Sequence, residues 1–594
     1  MLNIFFGLLL LFFPFLLVSL FKDRQKGFLS IFIFVLVFQI IISISTQFFH
    51  VFTYQTILII NSIAALAVLL CLIINFKKIN YKVSINWFLI LAFCIIFFEL
   101  YSVHYLYSGS ISTVNGYKDV KNQTFKYPYF SDEWVGVSLT NYSINNNSLP
   151  IVNPLIKNSE YTSFPNIFLI FFSLLASLFM LVNISPLIGY SAFALITGLF
   201  ICYLAYLFLI ENKVGSFSAI LASLGIPYIV NGQNLPGIWY LLPYIWGFVL
   251  FLICLIALSK KLRLLAWVSG TLSLLIYPPL LIFIIPTIIV EFLFDKETEN
   301  KTKIKLLLVG SLLVLFVAVS IIGFQVRNFS NLFQLISSYI LYPALDNGIP
   351  SFAIWNVIPL IFLPFIIFGL ALIIKKNKLF LLAPISIGLI LWAVYSQSLY
   401  FFILNYERTV IISSILLVCL MAFSFDWLGE KLKKEFSIFL RKDVVIFSKL
   451  VIILIFFIFA FRYTDNSDWA KMTLTIEQQG FKQSIQPLAP ATVFLTEKEY
   501  KFFQKIKKAN FISEPWKGLA IGAATGNYPL ESKPSIIRSN FLSYNFFVGL
   551  GCIEKKNIAI EYKVRYVYSP FFDCQNFLKL KTGEAGYNLY KLVE

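Results

Sequence analysis

The amino-acid sequence predicts an all-α polytopic membrane domain followed by a small external α/β domain. The 594-residue chain is 59% hydrophobic and only 13% charged, whereas soluble domains carry roughly 25% charged residues. The apolar residues are gathered into many runs that are long enough to cross or enter a bilayer. After residue 463 these runs stop, and the chain becomes polar with Gly and Pro between short apolar patches. Lipid therefore surrounds the first part of the chain, and water surrounds the second.

The apolar runs predict about 14 spanning helices, because a helix needs about 20 apolar residues to cross the hydrocarbon core. The first run is followed by the basic segment KDRQK without a small-residue cleavage site, so we expect it to remain as a helix. Residues 1–86 form N-terminal helices, and residues 87–463 form a larger transmembrane core. The predicted apolar segments are 3–21, 28–46, 54–75, 87–107, 164–183, 187–210, 216–230, 238–258, 262–277, 279–294, 303–323, 352–374, 379–398, 408–425 and 444–462.

Basic clusters between the apolar runs predict the orientation in the plasma membrane. The net charge of +18 lies in short clusters, which is typical of cytoplasmic loops and not of a nucleic-acid-binding surface. If all clusters face the cytoplasm, the 108–163 loop and residues 464–594 are external. Glu211 then lies on the cytoplasmic side, so an odd number of crossings must separate it from the external 108–163 loop. Two apolar segments lie between them, and we expect the first, 164–183, to be re-entrant or interfacial instead of spanning. The clusters are Lys22/Arg24/Lys26, Lys77/Lys78/Lys82, Lys260/Lys261/Arg263, Lys301/Lys303/Lys305, Lys375/Lys376/Lys378, Lys431/Lys433/Lys434 and Arg441/Lys442.

Residues 464–594 are predicted to form the external α/β domain. The segment TEKEYKFFQKIKK (496–508) has the pattern of a capping box followed by a helix. The alternating segment AIEYKVRYVYS (559–569) predicts a strand. Cys552 and Cys574 are the only two cysteines of this part, and we expect them to pair if the compartment is oxidising.

Two adjacent carboxylates, Asp132 and Glu133, lie in the first long polar break between the apolar runs. Such a pair can bind a divalent cation such as Mg²⁺ or Mn²⁺, act as a base on an acceptor, or be part of a solvated loop or helix N-terminus. The two histidines have no ligand-like spacing, so a histidine metal site is not expected. The residues after the pair form an amphipathic stretch that we expect to lie on the membrane surface, namely Trp134, Val137, Leu139 and Tyr142.

Several motifs follow the acid pair in a particular order. LPIVNPL (149–155) is followed by EYTSFPNIFLIFFSLLASLF (160–179), and NYERTVIISSILLVCLMAFSF (405–425) forms a late helix that begins with an Arg. FISEPWKGLAIGAATGNYPL (511–530) and VRYVYSP (564–570) lie in the polar part. Taken in this order, the motifs resemble GT-C-fold glycosyltransferases that use polyprenyl-phosphate-linked sugars. These include protein O-mannosyltransferases, the aminoarabinose transferase of lipid A and the catalytic subunits of oligosaccharyltransferases. The first three helices lie outside the resemblance.

The resemblance implies roles for individual residues. It implies that Asp132 is the catalytic residue of the acid loop, with Glu133 beside it as a helper or as a second metal ligand. It implies that Arg408 contacts the lipid-linked phosphate, and a guanidinium at a helix end suits phosphate oxygens. Without the resemblance, a membrane-surface anchor paired with Glu407 explains Arg408 equally well. The other candidate substrate-binding residues are Glu407, Glu160 and Arg327, with Gln325 and Asp346 beside Arg327 in a loop that can also be simply solvated.

The activity implied by the resemblance is an inverting sugar transfer on the external face of the membrane. The donor would be a polyprenyl-phosphate-linked sugar, and the acceptor would be a glycan, a lipid or a protein. The alternatives are a polytopic transporter or flippase, a lipid-linked glycan polymerase or ligase of another fold, and an inactive relative that serves as a scaffold. A transporter is expected to show internal repeats or charges within its spans, whereas the charges here lie mainly between the apolar runs.

Overall fold

A computed structural model describes most of the chain. The described residues are 2–79, 86–105, 110–113, 116–119, 131–157, 168–229, 237–294, 341–343, 358, 362–375, 379–395, 400–402, 404, 406–436, 442–465, 495, 497–506, 508–513, 515–532, 545–569, 572–582 and 587–593. The predicted segment 303–323 lies outside these residues, as does most of the first half of segment 352–374.

The apolar runs within the described residues form helices, as predicted, because these stretches lack the Gly and Pro clusters that would break them. Five helices of the described residues are long and apolar enough to cross a membrane, and the apolar stretches within the remaining helices have 10–17 residues. The total of about 14 spans is thus not confirmed. The helices are α1 (Leu2–Phe12, continued by a 3₁₀ helix at Phe13–Leu20), α2 (Arg24–Phe48), α3 (Tyr54–Ile74), α4 (Trp87–Tyr105), α5 (Ser131–Asn146), α6 (Leu169–Val182), α7 (Pro186–Glu211), α8 (Ser216–Gly225), α9 (Pro243–Ser259), α10 (Arg263–Ile276), α11 (Leu281–Phe294), α12 (Leu363–Lys375), α13 (Leu379–Tyr395), α14 (Tyr406–Phe436) and α15 (Lys442–Asp465).

Ion pairs join helix ends that carry the basic clusters. Lys260, just after α9, pairs with Asp23 at 2.8 Å and with Glu211 at 3.0 Å. Asp23 also caps α2, since its carboxylate accepts hydrogen bonds from the first backbone amides of that helix. Nearby, the amide of Gly215 donates to Asp426 of α14 at 2.8 Å. The start of α2 and the ends of α7 and α9 therefore lie at one end of the bundle, which we call the basic end.

Helix α6 has both of its termini away from the basic end. Its first turn is preceded by Phe168, whose ring stacks on Tyr277 with centroids 5.4 Å apart. Its last turn is followed by Asn183 in the left-handed conformation, and α7 begins three residues later. With 14 residues, α6 is about 21 Å long, which is shorter than the hydrocarbon core. The re-entrant or interfacial placement of segment 164–183 stays a prediction.

Helix α5, which carries the acid pair, was not predicted as a buried element. Its side chains Trp134, Val137 and Leu139 are at most 1% exposed. The prediction that this stretch lies on the membrane surface is wrong, because α6 and α7 cover one side of α5 and the polar C-terminal part covers another. On that side, Asn141 donates to the carbonyl oxygen of Ala523 at 3.1 Å.

The polar C-terminal part forms a five-stranded mixed sheet with helices, as the α/β prediction requires. The strand order is β6-β5-β7-β9-β8, in which β5 is parallel to β6 and β7, and β9 is antiparallel to β7 and β8. Two short antiparallel pairs lie earlier in the chain. The elements are β1 (Ser110–Thr113), β2 (Gly116–Asp119), β3 (Leu341–Pro343), β4 (Tyr400–Phe402), α16 (Glu497–Phe503), β5 (Asn510–Ile512), α17 (Pro515–Thr525), β6 (Tyr528–Pro529), α18 (Cys552–Glu561), β7 (Tyr566–Ser569), β8 (Phe577–Thr582) and β9 (Asn588–Leu592).

Two local predictions for this domain have different outcomes. Segment 559–569 is a strand only from Tyr566, because its first residues belong to α18. That helix begins where the carboxylate of Glu554 accepts a hydrogen bond from the amide of Gly551. The disulfide between Cys552 and Cys574 is confirmed, with Cα atoms 5.4 Å apart. It ties the start of α18 to the loop before β8.

A buried ion pair holds α17 in the domain. Lys517 donates to Glu499 at 2.7 Å, and both side chains are at most 3% exposed. Glu499 also accepts a hydrogen bond from the hydroxyl of Tyr568 at 2.7 Å. The residue at the start of the predicted capping box, Thr496, lies outside the described residues. Because α17 contacts α5, this ion pair lies one helix away from the acid pair.

We predict that Lys517→Met destabilises the domain by about 3–5 kcal/mol, because it leaves the Glu499 carboxylate buried without its counter-charge. The measurement is hydrogen exchange in β5 and α17. The double variant Glu499→Gln, Lys517→Met should recover much of the loss. Lys501→Met is the matched control, since its pair with Glu497 is exposed and is worth only about 0.3–0.5 kcal/mol. Equal protection in the Lys517 and Lys501 variants would contradict the prediction.

Candidate functional site

The candidate site begins with the first turn of α5, at Asp132 and Glu133. Acids are favoured in the first turn of a helix because the unpaired backbone amides there give a positive field. One turn later, Gly136 allows α5 to approach α7 closely, and an added Cβ at this position would overlap the hydroxyl of Tyr190. The position of the acid pair therefore depends on a close contact between two helices.

The two carboxylates of the pair have different surroundings. Glu133 is 1% exposed, and its Oε1 accepts a hydrogen bond from the backbone amide of Leu241 at 2.8 Å. Asp132 is partly exposed, and its charge acts on the hydroxyls of Tyr244 and Tyr277. Glu133 thus attaches α5 to the segment before α9, while Asp132 retains access to solvent.

Arg408 lies in the first turn of α14, between two tyrosines. Its Nη1 donates to the hydroxyl of Tyr277 at 2.6 Å. Its Cζ lies 5.5 Å from the ring centroids of both Tyr244 and Tyr277, a distance at which a guanidinium is attracted to aromatic faces. The tyrosines are fixed in turn, because Tyr277 stacks on Phe168 and packs edge-on against Tyr244.

Asp132 and Arg408 both lie within electrostatic reach of the same pair of tyrosines. Residues far apart in the sequence therefore place a carboxylate and a guanidinium around Tyr244 and Tyr277. This group lies at the end of the bundle opposite the basic end, because α14 starts here and continues to Asp426 beside Gly215. The arrangement combines a partly exposed acid with a cation that already has aromatic and hydroxyl neighbours.

A divalent cation at the acid pair remains a prediction. Within the described part of the chain, no group of three or more His, Cys, Asp and Glu side chains is placed to hold a metal ion. Glu133 directs Oε1 to a backbone amide, so the two neighbouring acids do not form a shared oxygen cage on their own. Because the described residues do not fit a cation site, no chemical step is assigned to a metal here.

The remaining predicted site residues lie outside the described part of the chain. These are Glu160, Arg327, Gln325 and Asp346, together with the side chain of Glu407. Their predicted roles are therefore neither supported nor opposed by the geometry around Arg408.

Sequence reasoning missed the aromatic part of the site. Tyr244 and Tyr277 each lie at a proline-marked break between apolar helices, with Pro243 before the first and Pro278 after the second. A helix rarely continues through such a position, so a polar aromatic side chain there is placed near a helix end. This local signal was available, but only the fold brings both breaks to Arg408.

The fold is that of a multi-pass membrane protein. A comparison with solved structures finds similar chains among glycosyltransferases. No protein-family model matches the sequence, and no curated protein matches it.

Two of the similar solved structures are of the oligosaccharyltransferase AglB from the archaeon Archaeoglobus fulgidus. One is a complex with an inhibitory peptide and a dolichol-phosphate, at 13% identity and a TM-score of 0.49, with 82% of this chain and 70% of that chain covered. The other is a complex with Zn and sulfate, at 13% identity and a TM-score of 0.46, with 81% and 67% covered.

A third similar structure is that of the mycobacterial arabinofuranosyltransferase AftD. The identity is 10% and the TM-score is 0.48, with 86% of this chain covered but only 42% of that chain. At these identities and TM-scores, the similarities assign no donor, acceptor or mechanism to this chain.

We predict that Gly136→Ala destabilises the protein by about 1–3 kcal/mol, because the added methyl group overlaps Tyr190 and displaces α5. Thermal unfolding in detergent measures the change. Adding Tyr190→Phe should restore only part of the loss, since it removes the overlapping hydroxyl, which has no hydrogen-bond partner, but leaves the ring carbon Cζ 2.7 Å from the added Cβ. The control is Gly429→Ala in α14, which has open space around it and should be neutral or stabilising by about 0.5–1 kcal/mol. A Gly136 variant as stable as the parent protein would refute the close contact.

Proposed function

We propose that this protein transfers a sugar from a polyprenyl-phosphate-linked donor to an acceptor at the external face of the membrane. The observation that carries the proposal is the approach of Asp132 and Arg408 to the same two tyrosines. A carboxylate and a guanidinium beside the same pair of tyrosines match a reaction in which a nucleophile loses a proton and a phosphate leaves. The fold-level resemblance to GT-C enzymes points to the same class of reaction.

Arg408 is suited to hold the donor phosphate. Its guanidinium presents several N–H donors in a fixed plane, and charged hydrogen bonds of this kind are among the strongest in proteins. The first turn of α14 adds the positive end of a helix dipole at the same place. Tyr277 accepts a hydrogen bond from Nη1 and keeps the guanidinium in position beside the start of α14. The apolar helices around the site would accept the isoprenoid tail in the bilayer.

Asp132 is suited to act on the acceptor. In the proposed step, its carboxylate takes the proton of the acceptor nucleophile, and the nucleophile forms a new bond to the anomeric carbon. The bond from that carbon to the phosphate oxygen breaks, and its electron pair goes to the lipid phosphate. Arg408 stabilises the charge that develops there, which is often the largest contribution of such a site. A single displacement of this kind inverts the anomeric configuration.

We expect Asp132→Asn and Arg408→Ala to fail in different ways. Asp132→Asn keeps the shape but removes the base, so turnover should fall by about 10² or more while donor binding is kept. Arg408→Ala should weaken donor binding itself by about 1.5–3 kcal/mol, as for a lost charged hydrogen bond. The measurements are transfer from a radiolabelled polyprenyl-phosphate sugar in membranes and a parallel donor-binding assay.

Two exposed residues of the C-terminal domain provide matched controls for this experiment. Asp573→Asn removes a negative charge and Arg565→Ala removes a positive charge at positions outside the site. Both variants should leave sugar transfer and donor binding unchanged. Normal sugar transfer by the Asp132→Asn variant would exclude Asp132 as the base. Transport of lipid-linked sugar without transfer would favour the flippase alternative over a transferase.

The topology of the proposal is tested separately with introduced cysteines. In a protein without its five free cysteines, Asn557→Cys in α18 should react with a membrane-impermeant maleimide on intact cells. Glu430→Cys, at the basic end of α14, should react only after permeabilisation, because basic clusters are retained in the cytoplasm. The opposite labelling pattern would place the site on the cytoplasmic face and reject the proposed orientation.

A further inference from the structure

Helix α4 contains two buried titratable residues that the proposed reaction does not use. Glu99 is 6% exposed and His104 is 3% exposed. Both lie in an otherwise apolar helix, where polar side chains are costly to bury and are commonly retained for a function. Their partners identify what this function can be, because both contact the same connection between α8 and α9.

The described ends of this connection, residues 226–229 and 237–242, are tied to α4 and to each other. Glu99 accepts a hydrogen bond from the hydroxyl of Tyr228. His104 donates from Nε2 to the carbonyl oxygen of Trp239 at 2.7 Å. Within the connection, the indole N–H of Trp239 donates to the carbonyl oxygen of Pro227 at 2.5 Å. Three hydrogen bonds therefore fix two short segments of backbone next to α4.

The same connection also holds the acid-bearing helix. Two residues after Trp239, the amide of Leu241 donates to the buried carboxylate of Glu133 at 2.8 Å. Glu133 is adjacent to Asp132 in the first turn of α5. A continuous series of hydrogen bonds and short backbone segments thus leads from His104 through residues 239–241 to the first turn of α5.

We propose that His104 and Glu99 are positioning residues that hold the connection before α9 so that Leu241 fixes Glu133 and thereby orients Asp132. This inference rests on the proposed function, because Asp132 is taken as the base. Neither residue touches substrate. Their effect is geometric, and a displacement of about 1 Å at a reacting group can cost up to about 10²-fold in rate.

The test compares His104→Ala with His104→Gln. The Ala variant loses the donor to Trp239, so kcat should fall about tenfold or more while the apparent KM for the donor changes little, because Arg408 is untouched. Gln can donate to the same carbonyl and should retain most of the activity. Phe98→Ala, on a lipid-exposed side of the same helix, is the matched control and should behave like the parent protein.

Hydrogen exchange gives a readout that does not depend on catalysis. His104→Ala should increase exchange in residues 237–242 and in the first turns of α5, whereas Phe98→Ala should not. If His104→Ala does not fold, Tyr228→Phe replaces it, since it removes the donor to Glu99 with little change of shape. Increased exchange in residues 226–229 is then expected.

The outcomes separate the two proposals. If the parent protein transfers no sugar but His104→Ala still increases hydrogen exchange in residues 237–242 and α5, the proposed function fails. The structural part of the inference, that His104 holds the connection before α9, is then kept. If the parent protein transfers sugar and His104→Ala keeps both normal kcat and normal exchange, the inference is overturned. It is also overturned if the Ala and Gln variants lose the same activity without a change in exchange.

Discussion

Hydrocarbon offers no hydrogen-bond partners, and this constraint determines where polar groups of the bundle lie. Inside the bundle, some polar side chains are paired across helices, as in the contact of Gln39 with Asn61 at 2.6 Å. The charged groups of the ion pairs around Lys260 and of the candidate site lie at helix ends. The two ends differ in character: one has several lysines and arginines, and the other has the acid pair Asp132 and Glu133 together with Arg408 beside two tyrosines. The candidate site for charged chemistry lies at one of these ends.

The acid-bearing helix α5 shows how the site is supported from several directions. Gly136 brings it against α7, the Leu241 amide holds Glu133, and Asn141 contacts the C-terminal domain. Each contact comes from a different part of the sequence. The orientation of Asp132 is therefore a property of the whole fold, while Arg408 is oriented locally by Tyr244 and Tyr277.

Much of the fold could be predicted from the sequence, because apolar runs, basic clusters and a change to polar composition are local signals. The paired cysteines and the helix that begins near Arg408 were found in this way. The burial of α5 could not be predicted, since its moderate polarity fits a surface helix as well as one covered by another domain. Segment 559–569 was misread because its alternating pattern crosses the boundary between α18 and β7. The role of Tyr277 could not be predicted from a local pattern, because its contacts with Arg408 and Tyr244 join positions that are far apart in the sequence.

Helix α5 lies in a single hydrophobic core that the transmembrane helices and the sheet domain share, because transmembrane helices cover one side of it and the sheet domain covers another. Next to it, Leu155 packs so closely against Gly522 of α17 that an added Cβ there would lie 2.9 Å from its Cδ2. This shared packing limits the modularity of the chain. A chimera that exchanges the C-terminal domain between related proteins must also exchange the matching surface of α5 and the loop that follows it. Domain shuffling in such proteins is therefore constrained to segments that include both sides of this contact.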